Sequence, residues 1–333
     1  MSSVTWFVGL DYHQAFVQVC VMDSAGRMVV NRRCDNSVQS LIAVLAPLGG
    51  KVCAAIESCC GASDLAEELV AAGWQVSLAH AGYVHKLKQS PDKTDWSDAR
   101  LLADLLRVGY LPQVWLAPYS LRQLRHVVRY RQQLVQARRA AKLRVTALLR
   151  AERIEFAVSR WTKAWVRAVR LSAALGEQGS WTVNRYLNEI ERLQQDIEET
   201  DEQLEALTRH DSFVLHLREL AGIGLVTAVI LRAELGTMDR FRTGKQLSRF
   251  CGLSPRNASS GLKQADAGLI RFANNTLRSV VIEAAHRLMR LDPHWRQLGQ
   301  SLKGRGKPGS VAAAAVANRW MRWLFHQLRS IAV

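Results

Sequence analysis

The first strand of a sheet is predicted by the stretch Val4-Thr5-Trp6-Phe7-Val8-Gly9-Leu10-Asp11, an apolar run that ends at a carboxylate. Two more apolar or alternating segments follow at 15–22 and 27–33. Between them, Asp23-Ser24-Ala25-Gly26 has the composition of a turn. The three segments together predict a three-stranded meander.

Helices and strands alternate after the meander. The patterns predict helices at about 37–46, 62–72 and Ser97–Val108, and strands at 51–57 and Gln75–Ala79. A meander followed by alternating elements indicates an α/β domain with a mixed sheet, over residues 1–117.

The remainder of the chain is predicted to be mostly helical. Residues 118–211 contain a basic segment at 120–150 and an acidic one at 182–208. The acidic segment has apolar residues spaced like a coiled-coil seam, namely Leu187, Ile190, Leu193, Ile197, Leu204 and Leu207. We expect two long helices packed together, a connecting helix near 160–175, and a mostly α domain over 212–333 with loops at 254–269 and 303–309.

The composition favours a polyanionic partner. The chain has 333 residues, a net charge of +16 and a pI near 10.1, which favour nucleic acid first and an acidic membrane surface second. No apolar run reaches the roughly 18 residues of a membrane span, and no signal peptide is recognisable, so a cytoplasmic location is expected. Six cysteines without a C-x-x-C pair make zinc and structural disulfides poor expectations.

Four carboxylates are placed where they can meet. Asp11 and Glu57 end predicted strands, and Asp95 and Asp98 begin a predicted helix. Such a group would repel unless divalent cations such as Mg²⁺ neutralised it, and two metals about 4 Å apart are a common arrangement for phosphodiester chemistry. Taken singly, these residues are ordinary caps or solvated positions, and Asp92 competes with the helical pair. The joint pattern resembles the RNase H-like (RuvC-type) fold with its D-E-D-D carboxylate set.

The basic segment predicts contacts with phosphates. No acidic residue lies between Asp104 and Glu152. Rows of helical arginines give affinity that depends on salt and hardly on sequence, for RNA and DNA alike. The alternative is pairing of some of these charges with the acidic helix at 189–205. The candidate contacts are Arg122, Arg125, Arg129, Arg138, Arg139, Lys142 and, farther along, Arg256.

Two loops in the last third of the chain are candidate functional sites. Gly222-Ile223-Gly224 resembles a helix–hairpin–helix turn that could hold a phosphate, although a plain helix–helix turn fits equally. The stretch from Gly252 to Gly261 is rich in Ser, Asn and Gly and contains Arg256, which is also typical of a surface loop. No histidine lies near its serines in sequence, so a Ser-His-Asp hydrolase is not supported.

Several motifs in this order resemble one known family, the "IS one-ten" insertion-sequence transposases, which are bridge-RNA-guided DEDD/serine recombinases. The motifs cover nearly the whole chain, and Lys93-Thr94-Asp95-Trp96-Ser97-Asp98-Ala99 and Gly252-Leu253-Ser254-Pro255-Arg256 are the most specific. The others are Val8-Gly9-Leu10-Asp11, Ala55-Ile56-Glu57, Gly222-Ile223-Gly224, Ser260-Gly261 and the segment 303–309.

The resemblance implies a mechanism and partners. It implies a RuvC-like domain that binds Mg²⁺ through Asp11, Glu57, Asp95 and Asp98, a helical coiled-coil region, and a C-terminal transposase domain. That last domain would carry a nucleophilic serine at Ser260, with Ser259 as its neighbour. Donor and target DNA would be recombined through a phosphoserine intermediate under the guidance of a structured bridge RNA, by a homodimer or homotetramer in the bacterial cytoplasm and nucleoid. One departure is Ser58-Cys59-Cys60-Gly61, where many members have a Thr-Gly-x-Tyr-like stretch.

Two other functions compete with this one. A hydrolytic RuvC-type DNA junction nuclease needs the same carboxylates but attacks with water, so it would survive Ser260→Ala. A catalytically silent nucleic-acid-binding protein would keep its biological activity after Asp11→Asn. The net charge of +16 does not separate the three.

Overall fold

The computed structural model describes residues 5–88, 94–257, 266–270 and 273–329. The chain divides into two compact units, Met1–Tyr119 and Ser120–Val333. The first is mixed α/β and the second is mostly helical.

The first unit is built on a six-stranded mixed sheet in the order β3-β2-β1-β4-β5-β6. Its strands are β1 Thr5–Tyr12, β2 Phe16–Met22, β3 Met28–Asp35, β4 Lys51–Glu57, β5 Gln75–Ala79 and β6 Gln113–Val114. β1 to β3 are antiparallel neighbours, whereas β4 and β5 run parallel to β1. This confirms the predicted meander and mixed sheet and adds β6, a two-residue strand too short to be recognised from a pattern.

Helices cover both faces of this sheet. The four helices are α1 Val38–Leu45, α2 Ala62–Ala71, α3 Ala81–Leu87 and α4 Asp95–Arg107. Leu10 and Val19 point towards α1 and α2, whereas Cys20 on the other face packs against Ala99 and Ala103 of α4. The alternation of these side chains follows from the two-residue period of a strand.

The start of α4 differs from the prediction. The helix begins at Asp95, two residues before the expected Ser97, because Thr94 caps it: its side chain accepts from the backbone N–H of Ser97, and the Ser97 hydroxyl lies 3.4 Å from the Thr94 backbone N. This reciprocal cap moves the first turn upstream and places both Asp95 and Asp98 in it.

The second unit begins with a long antiparallel helix pair, α5 Tyr119–Ala151 and α7 Gly176–Thr208, with α6 Lys163–Arg170 and a short 3-10 turn at Ala173–Leu175 between them. Leu134 packs against Leu193 and Ile197, which confirms the predicted seam. Leu207 was wrongly assigned to that seam, because it is 52% exposed, and Thr208 is buried instead. The Thr208 hydroxyl donates to the Leu204 carbonyl, so its burial leaves no unpaired polar group.

The remaining elements of the second unit are α8 Ser212–Glu219, α9 Leu225–Leu235, a short 3-10 turn at Met238–Arg240, α10 Gly244–Phe250, β7 Pro255–Asn257, β8 Asp266–Leu269, α11 Asn275–Leu291, α12 Pro293–Gly304 and α13 Gly309–Arg329. β7 and β8 form an antiparallel ladder, so the expectation of a continuous loop over 254–269 is wrong at both ends. Over the described part of the chain, no helix has the length and apolar character needed to span a bilayer.

Candidate active site

The four predicted carboxylates line one cavity of about 350 Å³ in the first unit. Asp11, Glu57, Asp95 and Asp98 all contribute to its wall. They come from β1, β4 and α4, elements far apart in sequence. The structure thus brings together all four residues that the sequence singled out, whereas their chemical role remains a prediction.

The sheet places Asp11 and Glu57 at one edge. β1 and β4 are parallel neighbours with Leu10 opposite Ile56, so their carboxyl-terminal ends, and the carboxylates that follow, meet on the same side. Asp11 lies two residues after Gly9 and therefore faces α4. An added Cβ at Gly9 would be 1.9 Å from the Ala99 carbonyl oxygen. Glycine at this position is what allows α4 to approach β1 closely enough to share a cavity with Asp11.

Helix α4 supplies the other two carboxylates from its first turn. Asp95 and Asp98 are three residues apart and so share a face of the helix. Negative side chains in a first turn are also favoured by the helix dipole. The Asp98 side chain is the more enclosed of the two, at 10% exposed against 28% for Asp95.

Two cationic side chains balance part of this charge. Lys88 Nζ lies 2.5 Å from Asp98 Oδ1, and Arg33 of β3 donates to Asp95 Oδ2 at 2.7 Å. They neutralise only half of the four carboxylates. Neither residue was predicted from the sequence, because Lys88 follows an unpredicted helix and Arg33 reaches the site only through the register of β3 on β2.

His13 adds a nitrogen to the same site. Its Nε2 lies 3.3 Å from Asp11 Oδ2 and 3.4 Å from Asp95 Oδ1, and its ring stacks on Phe16 at 4.4 Å. One potential ligand atom from each of His13, Asp11 and Asp95 falls within 4.8 Å of the others. His13 was not predicted either, although its position two residues after Asp11 was a usable signal.

The electrostatics of the cavity favour bound cations. Burial raises the pKa of Asp11 above its ordinary value of 3.8, the nearby charges of Asp98 and Asp95 raise this pKa further, and His13 opposes them. Additional positive charge near Asp11 would stabilise its ionised form against these effects. The donor set, mainly carboxylate oxygens, fits a hard divalent cation such as Mg²⁺.

The segment 58–61, where the sequence differs from the usual pattern of the resembled family, also contributes to this cavity. Cys59 lines it beside Glu57, and burial, followed by the charge of Glu57, raises the pKa of the Cys59 thiol. The thiol therefore stays protonated at neutral pH and contributes no negative charge. All six cysteines of the chain are free, and Cys20 and Cys251 are buried.

The predicted nucleic-acid contacts on α5 fall into two groups. Arg129 and Arg139 are exposed, whereas Arg122, Arg125, Arg138 and Lys142 are half-buried. Arg138 donates to the Gln194 side chain of α7, and Arg131 forms a bidentate pair with Asp201. Some of the basic helix is therefore paired with the acidic helix, which is the alternative raised by the sequence.

Arg125 belongs to a partly buried cluster around Glu234. Arg125 donates to the Ala233 carbonyl at 2.6 Å, and burial lowers the pKa of its guanidinium. Asn274, the cap of α11, donates to Glu234 at 2.8 Å, and Arg129 lies 4.0 Å from the same carboxylate. Burial also lowers the pKa of Arg240 to about 10. This cluster joins α5, α9 and α11.

The described part of the serine loop includes Arg256 but not the two serines. Arg256 is exposed on β7, whereas Ser259, Ser260 and the competing Asp92 lie outside the described residues. Farther upstream, the Gly222 carbonyl accepts from Arg287 at 2.8 Å, and Gly224 caps α9. The glycine turn therefore joins two helices, and its relation to phosphate remains a prediction.

Comparison with known proteins agrees with the motifs. A model of DEDD transposases of the IS110 type matches residues 8–153, and a model described as "Transposase IS116/IS110/IS902 family" matches residues 215–300.

Three relatives are similar over most of the chain. The chain is 26% identical to a transposase for insertion sequence element IS1111A of Coxiella burnetii, over 85% of this chain and 78% of that protein. It is 27% identical to a probable family 20 transposase of Pseudomonas aeruginosa, over 96% and 95%. It is 24% identical to a transposase for insertion sequence element IS1328 of Yersinia enterocolitica, over 97% and 96%. With both family models matched in order and relatives aligned along nearly its full length, the chain belongs to the IS110 family of insertion-sequence transposases, the "IS one-ten" family of the sequence analysis.

Proposed function

We propose that this protein is an RNA-guided DNA recombinase that cuts and rejoins DNA through a phosphoserine intermediate at Ser260. The observation that supports this most strongly is the convergence of Asp11, Glu57, Asp95 and Asp98 on one cavity. Membership of a transposase family supplies the substrate class, DNA.

The architecture supports an RNase H-like assignment for the first unit. A three-stranded antiparallel meander continues into two parallel strands, with helices on both faces and carboxylates at the ends of β1 and β4. We further propose that residues 118–211 act as a coiled-coil region and that 212–333 form the serine transposase domain.

The carboxylates have a clear task in this proposal. Asp11, Glu57, Asp95 and Asp98 would hold Mg²⁺, with His13 able to add a nitrogen ligand. A bound divalent cation would polarise the scissile phosphate and stabilise the charge on its oxygens. Lys88 and Arg33 hold Asp98 and Asp95 in place and reduce the repulsion between the carboxylates.

Ser260 provides the covalent step. Its hydroxyl oxygen attacks the phosphorus and loses its proton, a phosphoserine ester forms, and a DNA sugar oxygen leaves as a hydroxyl. The ester preserves the energy of the phosphodiester, so a second DNA hydroxyl can reverse the step and rejoin the strand without ATP. Hydrolysis by water would give cleavage alone.

The partners follow from the charge and from the family. A structured bridge RNA would pair with donor and target DNA, which leaves sequence recognition to base pairing. Exposed basic residues such as Arg129, Arg139 and Arg256 would contact nucleic-acid backbones. We propose a homodimer or homotetramer that acts in the bacterial cytoplasm on nucleoid DNA.

A trapping experiment tests this proposal. Purified protein is incubated with element-end DNA, RNA from the flanking region and Mg²⁺, and denaturing gels are examined for a protein–DNA adduct. We expect an adduct in the wild type and in Ser259→Ala, and none in Ser260→Ala or Asp11→Asn. Asp23→Asn is the charge-matched control, because Asp23 pairs with Arg27 at a turn rather than lining the cavity. Cleavage without an adduct, unaffected by Ser260→Ala, would instead establish the hydrolytic nuclease.

A further inference from the structure

A second cavity, basic where the first is acidic, lies at the end of the long helix pair, where α5 passes into α6. It has a volume of about 490 Å³, and its wall includes Arg150, Arg153 and Arg160 together with Glu155, Phe156 and Trp165. We call it the tip pocket. Its volume is in the range of small-molecule sites, which is about 300–1,000 Å³.

The charge of the tip pocket is not balanced internally. Arg150, Arg153 and Arg160 are all exposed, and Glu155 is the one acidic residue in the wall. No ion pair is seen for these three arginines within the described ranges. By contrast, Arg131 on the same helix is paired with Asp201. Three unpaired guanidinium groups around one cavity form a site for an anion with several oxygens, and phosphate is the anion that arginine forks match.

The backbone at the pocket is held in an unfavourable conformation. α5 ends in a Schellman turn, in which Ile154 N–H donates to the Leu149 carbonyl and Arg153 N–H to the Arg150 carbonyl. Arg153 therefore occupies the left-handed position, with φ of +55°, where glycine is the ordinary residue. Trp161 has φ of +66°, and these two are the non-glycine residues with positive φ in the described part of the chain. Strained backbone of this kind clusters at ligand-binding sites, so Arg153 is a candidate ligand-binding residue.

Aromatic side chains complete the pocket. Phe156 lies partly exposed in the wall, with its ring centroid 6.2 Å from that of the buried Trp165. Trp161 packs on Trp165 at 4.7 Å, and Lys142 Nζ lies 4.9 Å from the Trp161 ring centroid. The combination of exposed aromatic surface and guanidinium groups is typical of sites that stack a base and hold its phosphate.

We propose that the tip pocket binds an unpaired nucleotide of a nucleic-acid loop, with its phosphate on Arg150, Arg153 and Arg160 and its base against Phe156. A regular duplex keeps its bases stacked inside, so it can offer the pocket phosphates but no base. The proposal rests on the nucleic-acid partner of the proposed function and not on the metal site or on Ser260.

Binding by the full-length protein tests the proposal. Fluorescence anisotropy is measured in EDTA, in a Ser260→Ala background, with a labelled hairpin that has an unpaired loop and with a blunt duplex of the same stem. RNA and DNA versions of both probes show which nucleic acid is preferred. The test variant is Arg150→Gln/Arg153→Gly/Arg160→Gln. The control variant, Arg185→Gln/Arg192→Gln/Arg209→Gln, removes the same charge at exposed positions on or just after α7.

The tip variant should bind the better hairpin at least about 10-fold more weakly and the duplex less than about 3-fold more weakly, with a salt slope flatter by about 2 for the hairpin. Phe156→Leu should abolish the quenching of a 2-aminopurine placed in the loop. Equal losses for hairpin and duplex, or a loss no larger than that of the control, would overturn the proposal. Arg153→Gly alone should keep or raise Tm, so weak binding would not result from unfolding. Because no cleavage is measured, failure of the recombinase mechanism would leave this result unaffected.

Discussion

At the scale of single residues, Gly9 determines whether the carboxylate cavity can form. A Cβ at this position would meet the Ala99 carbonyl oxygen at 1.9 Å and Ala103 N at 2.6 Å, both backbone atoms of α4. Backbone atoms cannot rotate away, so α4 would have to shift. We expect Gly9→Ala to destabilise the protein by about 1–3 kcal/mol, as overpacking generally does, and to weaken Mg²⁺ binding.

Chemical denaturation and metal titration measure these two effects. Gly304→Ala is the control, since an added Cβ there meets open space. Unchanged stability in Gly9→Ala would mean that α4 does not lie against β1 as the structure has it.

Asp11 gives a prediction about pH. Burial, then the charges of Asp98 and Asp95, raise the pKa of Asp11 above 3.8, so its ionised form disfavours folding. This unfavourable contribution is absent below pH 3.8, increases as the pH rises through the raised pKa, and is complete above it. We expect Asp11→Asn to raise Tm in EDTA at neutral pH and to lose that gain in acid.

With Mg²⁺ added, we expect wild type to have a higher Tm than Asp11→Asn, the reverse of the order in EDTA. Wild type should gain stability from the cation by mass action, and Asp11→Asn should gain much less. Thermal unfolding with EDTA and with Mg²⁺ checks both statements. A lower Tm for Asp11→Asn in EDTA at neutral pH would contradict the electrostatic argument.

The site residues that could be predicted from the sequence are those at the end of a clear strand pattern or at the start of a clear helix pattern. Asp11 and Glu57 follow apolar strands, and Asp95 and Asp98 open a helix. Lys88 and Arg33 could not be found in that way, because their places depend on strand register and on a helix with weak periodicity. Long-range partners of this kind are a property of the folded sheet and not of any one segment.

Among the elements, the packing of α5 against α7 depends on which leucines of α7 face the seam. Leu193 is 5% exposed and packs on Leu134, whereas Leu207 is 52% exposed. Leu193→Ala should cost about 2–5 kcal/mol, because it leaves a cavity in the seam. The same change at Leu207 should stay within about 0.5 kcal/mol. Urea denaturation of the two variants measures the difference, and equal losses would contradict the seam.

Prediction of elements failed where polar residues replaced apolar ones or where segments were short. Thr200 and Thr208 are buried because their hydroxyls donate to the carbonyls of Asp196 and Leu204, which a pattern of apolar residues cannot show. The strands β7 and β8 have three and four residues and form only through each other. Element type was predictable for the long, strongly periodic segments α5 and α7.

For the molecule as a whole, only some of the residues behind the net charge of +16 are free to contact nucleic acid. Arg139 is exposed, whereas Arg131 is held by Asp201. We expect Arg139→Gln to flatten the slope of log binding constant against log salt by about 1 for duplex DNA, and Arg131→Gln to leave the slope unchanged. Anisotropy titrations across a salt series measure both. Equal slopes in the two variants would show that pairing with α7 does not decide which charges reach nucleic acid.

Mass spectrometry of the trapped adduct tests whether DNA becomes joined to the chain at Ser260, as we propose. After digestion with nuclease and trypsin, the peptide Asn257–Lys263 contains both Ser259 and Ser260, and its fragment ions distinguish them. We predict a nucleotide phosphate on Ser260, dependent on Mg²⁺ and absent in Asp11→Asn. A modified Ser259, or an unmodified peptide from a reaction that has cleaved its DNA, would show that Ser260 is not the nucleophile.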